Sequence, residues 1–175
     1  MRCYAVLLSA AVTLALAAGA DARDRTFVGP HLRPLDQASA ALMADAQQRS
    51  ETMRNLVKKL EASNVVAYVH IAPRATGDPE SGLRFVGTSK MARFVLIAIS
   101  GDTTADRKIE RLGHELQHAV EIAGTPWVQN DAQVTMLMSF LGRRDWASAC
   151  GYETSAANRT ERQVRRDLGA AAGTQ

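Results

Sequence analysis

Cysteine is nearly absent. The 175-residue chain has two, Cys3 and Cys150, and Cys3 lies in a segment expected to be removed. No intrachain disulfide is then available to hold the fold. Charge of one sign is also lacking. The chain carries 21 Lys and Arg against 18 Asp and Glu, a net +3, with the two signs mixed along its length. That excludes the basic footprint of a nucleic-acid-binding protein. No internal repeat is present, and beyond the N-terminus no apolar run is long and clean enough to span a membrane. What remains is 46% hydrophobic and 22% charged, the composition of an ordinary single domain. Its stability must come from a core, or from a metal.

The first 22 residues are expected to be a signal peptide. Arg2 supplies a positive start, Tyr4 to Ala18 is mostly small and apolar, and Ala20-Asp21-Ala22 fits the small-x-small cleavage pattern. The mature chain would begin at Arg23, with no stable membrane insertion once the signal is gone, and would be exported to a periplasm or to the outside. Residues 23–168 then form a single domain and residues 169–175 a frayed tail.

Residues 23–34 contain two prolines and no apolar period, and read as an extended lead-in. A helix is expected over residues 35–47. A second follows over 51–62, with Met53, Leu56, Val57 and Leu60 in one stripe and Ser50 as its cap. The pattern then turns β-branched. Strands are expected at Val65–Ile71, Leu83–Val86 and Arg93–Ile99, the last almost free of polar residues and therefore central. The short turn between the second and third predicts antiparallel pairing. Thr103 with Asp106 resembles a capping box for a helix that Gly124 and Pro126 stop near Ala123. Val134, Leu137, Met138 and Leu141 mark another helix, flanked by Trp127 and Trp146 as core anchors. A last helix is expected from Tyr152 to Leu168. Its Arg-rich stretch, Arg159 to Arg166 around Glu161, reads as a solvated face.

One short segment carries chemistry. Leu112 to Ala119 contains His114-Glu115-x-x-His118. Residues four apart lie one turn above another on a helix, so the two imidazoles can share one zinc ion. Glu115 lies about 100° further round, placed to take a proton from water whose pKa zinc lowers toward about 7. Ile109, Leu112, Leu116, Ala119 and Ala123 form an apolar stripe on another side, which leaves the histidines facing a cleft.

A catalytic zinc needs a third protein ligand, and several residues compete. His31 lies in the lead-in. His70 sits on a strand, on the face shared by Val66 and Tyr68. Glu121 follows His118 by one turn and suits holding a ligand in orientation. Glu153 opens the last helix, with Ala156 and Ala157 small enough for close approach to the His-bearing helix. It is the stronger candidate, although a first-turn Glu needs no metal to be favourable. Cys150 lies within reach of the same site but reads as a buried thiol. Asn158-Arg159-Thr160 is a glycosylation sequon in a eukaryotic secretory setting.

The region from Val65 to Ala157 resembles a minimal gluzincin, the zincin clan that adds a distal Glu to His-Glu-x-x-His. The resemblance implies Zn2+ held by His114, His118 and Glu153, with Glu115 as the catalytic base. It also implies a β-sheet edge that binds substrate beside the active helix. The expected elements make an α+β, zincin-like fold, in which a small antiparallel sheet packs beside the active helix with flanking helices. The metzincin pattern is absent, since its Gly and His positions hold Glu121 and Gly124. The oxyanion partner of larger gluzincins has no clear match; Tyr68, Tyr152 and His70 are candidates. The expected activity is hydrolysis of a peptide or protein substrate. The competing expectation is a secreted zinc-binding or structural domain without turnover.

Overall fold

Alternation of apolar residues decides where the strands form, and capping residues decide where the helices begin. The computed structural model describes residues 30–73, 80–144 and 152–173. The signal segment, residues 23–29, Trp146, Cys150 and the last two residues lie outside the described residues. In chain order the elements are β1 (Leu32–Pro34), α1 (Gln37–Arg49), α2 (Glu51–Glu61), β2 (Val65–Ala72), β3 (Ser81–Thr88), β4 (Arg93–Ser100), α3 (Ala105–Ala123), α4 (Asp131–Leu141), β5 (Gly142–Arg144), β6 (Tyr152–Thr154) and α5 (Ser155–Ala172). This is a mixed α+β arrangement. Among the described residues no helix is long and apolar enough to cross a membrane.

The four-stranded sheet has the order β1-β2-β4-β3, with the apolar β4 inside it as its sequence predicts. The sheet is mixed, not antiparallel. Only β3 and β4 pair antiparallel, across their short turn, while β1 and β4 both run parallel to β2. The cause is connectivity. Parallel neighbours need a long crossover, and α1 and α2 supply one between β1 and β2. β4 then inserts between β2 and β3, so its hairpin with β3 leaves it parallel to β2. The expected lead-in ends in β1, whose three residues pair with Ala67 to Val69.

Alternation gives the sheet two unlike faces. Arg93, Val95, Ile97 and Ile99 of β4 are buried, whereas Phe94, Leu96 and Ala98 are half-covered. The buried face joins Ala67 and Val69 with Ile109, Leu112, Leu116 and Ala119 of α3 in one core. α5 packs on α3, α2 and β6. α3 is therefore enclosed on more than its apolar side, and its histidines are covered too. Gly113 permits the approach: a methyl group there would lie 2.8 Å from Val164 of α5 and 3.2 Å from Met53 of α2.

Caps fix the registers of the helices. Ser50 caps α2, as expected, accepting from the Met53 amide. Asp167 of α5 strengthens that end, accepting from the Ser50 hydroxyl at 2.7 Å and the Thr52 amide at 3.0 Å. Thr104, not Thr103, caps α3 and accepts from the Arg107 amide. At the other end of α3 the Arg93 guanidinium, 2% exposed, donates to the carbonyls of Ile122, Ala123, Thr125 and Val128 at 2.8–3.2 Å. It supplies the last turn with the partners a helix C-terminus lacks. α5 begins two residues after Glu153 and continues to Ala172, four residues past the expected end.

Candidate metal centre

His114 and His118 stand one turn apart on α3, and their Nε2 atoms face each other at 3.2 Å. Each ring is fixed from behind. His114 Nδ1 lies 3.2 Å from Glu161 Oε2 of α5, and His118 Nδ1 lies 2.9 Å from Glu121 Oε2 one turn on. An ionised carboxylate only accepts, so both Nδ1 atoms carry the hydrogen. In the neutral rings, both Nε2 lone pairs then point into the same small space. Glu153 Oε2 is a third electron-rich atom there, 2.9 Å from His114 Nε2.

Three lone-pair donors crowded together repel unless a cation sits between them. Tetrahedral zinc, with bonds of about 2.0–2.1 Å, separates its ligand atoms by about 3.3 Å. The 3.2 and 2.9 Å separations are near that value, and one donor atom from each of His114, His118 and Glu153 lies within 4.8 Å of the others. The residues fit a metal ion. Without one, a proton serves the same electrostatic need. Burial pushes the His114 pKa down, but hydrogen bonds to Glu153 and Glu161 outweigh it and hold the ring at about 10.

Glu153 reaches this place differently from the sequence expectation. It does not open a helix but is the central residue of β6, opposite Arg143 of β5. The short ribbon needs Gly142, where a methyl group would lie 2.5 Å from the Glu153 carbonyl oxygen. Thr154 then links the ribbon to the site. Its hydroxyl caps α5 by accepting from the Ala157 amide at 3.0 Å and donates to Glu121 Oε1 at 2.8 Å. The small Ala157 is fully buried.

Glu161 was not legible as a site residue. Its expected solvated face is in fact buried at that point, with Glu161 8% exposed. Arg107 and Arg111 of α3 donate to it at 2.7 and 3.1 Å. Arg107 also binds Glu110 and Glu80, Arg111 binds Glu80, and Arg165 holds Glu110 through two nitrogens. Burial pushes the Glu161 pKa up, but His114, Arg111 and Arg107 more than reverse this and hold it at about 2. The network keeps the carboxylate charged and fixed behind His114. Its sequence signal is a carboxylate inside the apolar stripe Ala157, Val164 and Leu168 of α5.

Glu115 points to the sheet side of the site. It is 5% exposed and accepts from the Ser81 hydroxyl of β3 at 2.6 Å. Ser81 carries no sequence signal for this role. The histidines do not face an open cleft, being 2% and 4% exposed.

The other candidates lie elsewhere. His70 pairs with Asp36 at 3.2 Å. His31 is buried, with Nδ1 3.0 Å from the Val65 carbonyl oxygen. Tyr68 lies against Phe94 on the less covered sheet face. Tyr152 packs on the core. Trp127 is 44% exposed and anchors no core; the adjacent Val128 is the buried residue.

A mixed α+β domain with a buried His-His-Glu group on and beside one helix is the class these observations define. The chain matches no family model, and no curated protein or solved structure shows significant similarity to it.

Proposed function

We propose that this chain is a zinc-dependent peptidase of minimal gluzincin type, with His114, His118 and Glu153 as ligands and Glu115 as general base. The observation that supports it most is the convergence of the two imidazole nitrogens and the Glu153 carboxylate, with both rings oriented by carboxylates. Two nitrogens and one oxygen form a catalytic zinc donor set, leaving a fourth position for water or substrate. Bound zinc would supply Lewis acidity toward a peptide carbonyl and toward water. Glu115, next to His114 on α3, would take the water proton and return it to the leaving amine. Ser81 donates to Glu115 Oε1 at 2.6 Å and would hold the carboxylate in place for that role. Export of the chain after cleavage at Ala22 belongs to the same proposal; N-terminal sequencing of exported protein should begin at Arg23, and an intact Met1 would refute it.

Glu115→Gln tests the chemistry, because it keeps size and both imidazoles. Zinc content should stay near wild type while hydrolysis of a mixed peptide library falls at least about a hundredfold. Equal hydrolysis by the variant would refute the mechanism. The burial of His114, Glu115 and His118 favours a second reading, a secreted zinc-binding or structural domain without turnover. That reading prevails if wild-type protein binds zinc but shows no chelator-sensitive hydrolysis.

A further inference from the structure

Among the described residues β3 is an edge of the sheet, with β4 as its only strand neighbour. Its pairing fixes which backbone groups face outward. Ser100 donates its amide to the Glu80 carbonyl, so alternation assigns Gly82 and Arg84 to the β4 side. Ser81, Leu83 and Phe85 then present their backbone groups to the open side. At Phe85 that side is taken: its amide donates to Asp131 Oδ1, at the start of α4, at 2.9 Å. The Thr88 hydroxyl, further on, reaches the Gln129 carbonyl at 3.4 Å. Among the described residues no backbone partner meets Leu83 on its outward side. The open edge thus runs from Ser81, which touches Glu115, to a carboxylate stop at Phe85. Four residues of strand cover about 13 Å.

We infer that the Asp131 carboxylate closes this edge and makes the site select peptides by a free N-terminus, cutting within about four residues of it. The inference rests on the peptidase reading. An extended chain that joins β3 gains main-chain hydrogen bonds at Leu83. Antiparallel addition is the commoner geometry and repeats the pairing β3 already makes with β4. It places the N-terminal end of the incoming chain at Phe85 and leads the chain toward Ser81 and Glu115. At Phe85 a longer chain meets Asp131, whose oxygen already holds the amide the chain would need. A peptide α-ammonium ending there meets an opposite charge, whereas an acetylated or continuing chain loses that attraction and is blocked.

The test uses zinc-loaded full-length protein and a mixed-sequence decapeptide library, prepared with free and with acetylated N-termini. Wild type should cut within the first four residues, and acetylation should lower kcat/KM at least about tenfold. Asp131→Asn keeps the acceptor but removes the charge; it should keep the cut positions and shrink the preference to within about threefold. Asp131→Ala opens the edge, so cuts should appear deeper and the Phe85 amide should exchange its hydrogen faster than in wild type. Cuts spread along acetylated peptides by wild type, or equal Phe85 exchange in wild type and Asp131→Ala, would overturn the inference. In Glu115→Gln protein the free-amine library should slow Leu83 amide exchange more than the acetylated one. That result without hydrolysis by wild type would sink the peptidase reading and keep the docking mode. Hydrolysis without Leu83 protection would keep the peptidase and sink the docking mode.

Discussion

Gly142 has no room for a methyl group. A Cβ there would stand 2.5 Å from the Glu153 carbonyl oxygen and 2.9 Å from both the Glu153 carbonyl carbon and the Met138 oxygen. All three are backbone atoms and cannot swing aside as a side chain does. Gly142→Ala should push β6 from β5 and carry Glu153 with it. The expected cost is about 1–3 kcal/mol of stability, with zinc affinity reduced more than about tenfold. Urea denaturation and chelator competition measure the two effects; wild-type results in both would show that β6 does not depend on this approach. The same distinction governs what the sequence reveals about single residues. His114, Glu115 and His118 are legible because one helical turn is local geometry. Glu161 acts on His114 across 47 residues and Ser81 on Glu115 across 34, so no local spacing marks them. Only the buried position of Glu161 among Ala157, Val164 and Leu168 signals a role, since an unpaired carboxylate is rarely placed in an apolar stripe.

Elements follow the same rule, with ends harder to read than interiors. The apolar run of β4 marks it as internal to the sheet, and the stripe of α2 is visible in four residues. The direction of β1 is not, because its partner is set by two intervening helices and not by its own three residues. Glu153 falls in a strand because β5 offers a neighbour that local propensity does not reveal. Arg93 is a comparable case, a charged residue opening an apolar strand. Its guanidinium fastens the C-terminal end of α3, and Asn64 receives both Nε and Nη2 at 3.1 and 2.7 Å. Arg93→Met fills similar space but leaves buried carbonyls without donors. It should cost about 3 kcal/mol or more, and Arg93→Lys should recover only part of that, since an ammonium lacks the planar fork. Equilibrium unfolding decides this, and a variant within about 0.5 kcal/mol of wild type would mean that water replaces the guanidinium.

At the scale of the whole molecule, the candidate metal site joins parts that are distant along the chain. α3 brings two ligands, β6 brings the third, and α5 brings Glu161. A ligand bound only by the folded state stabilises it by RT ln(1 + [L]/Kd), about 2.7 kcal/mol at one hundred times Kd. For a domain of this size that corresponds to a rise of about 5–10 °C in Tm. Free zinc held at one hundred times the wild-type Kd should therefore raise wild-type Tm by that amount, and a chelator should remove the gain. Glu115→Gln should keep it, because Glu115 is not one of the three converging donors. Glu153→Ala should lose most of it. Glu161→Ala should lose part, because with the His114 imidazole misdirected the site binds the metal about 10–100-fold more weakly. Thermal melts of the four proteins at fixed free zinc give the ranking. A Glu153→Ala protein that gains as much as wild type would remove Glu153 from the metal site while leaving the two histidines in place.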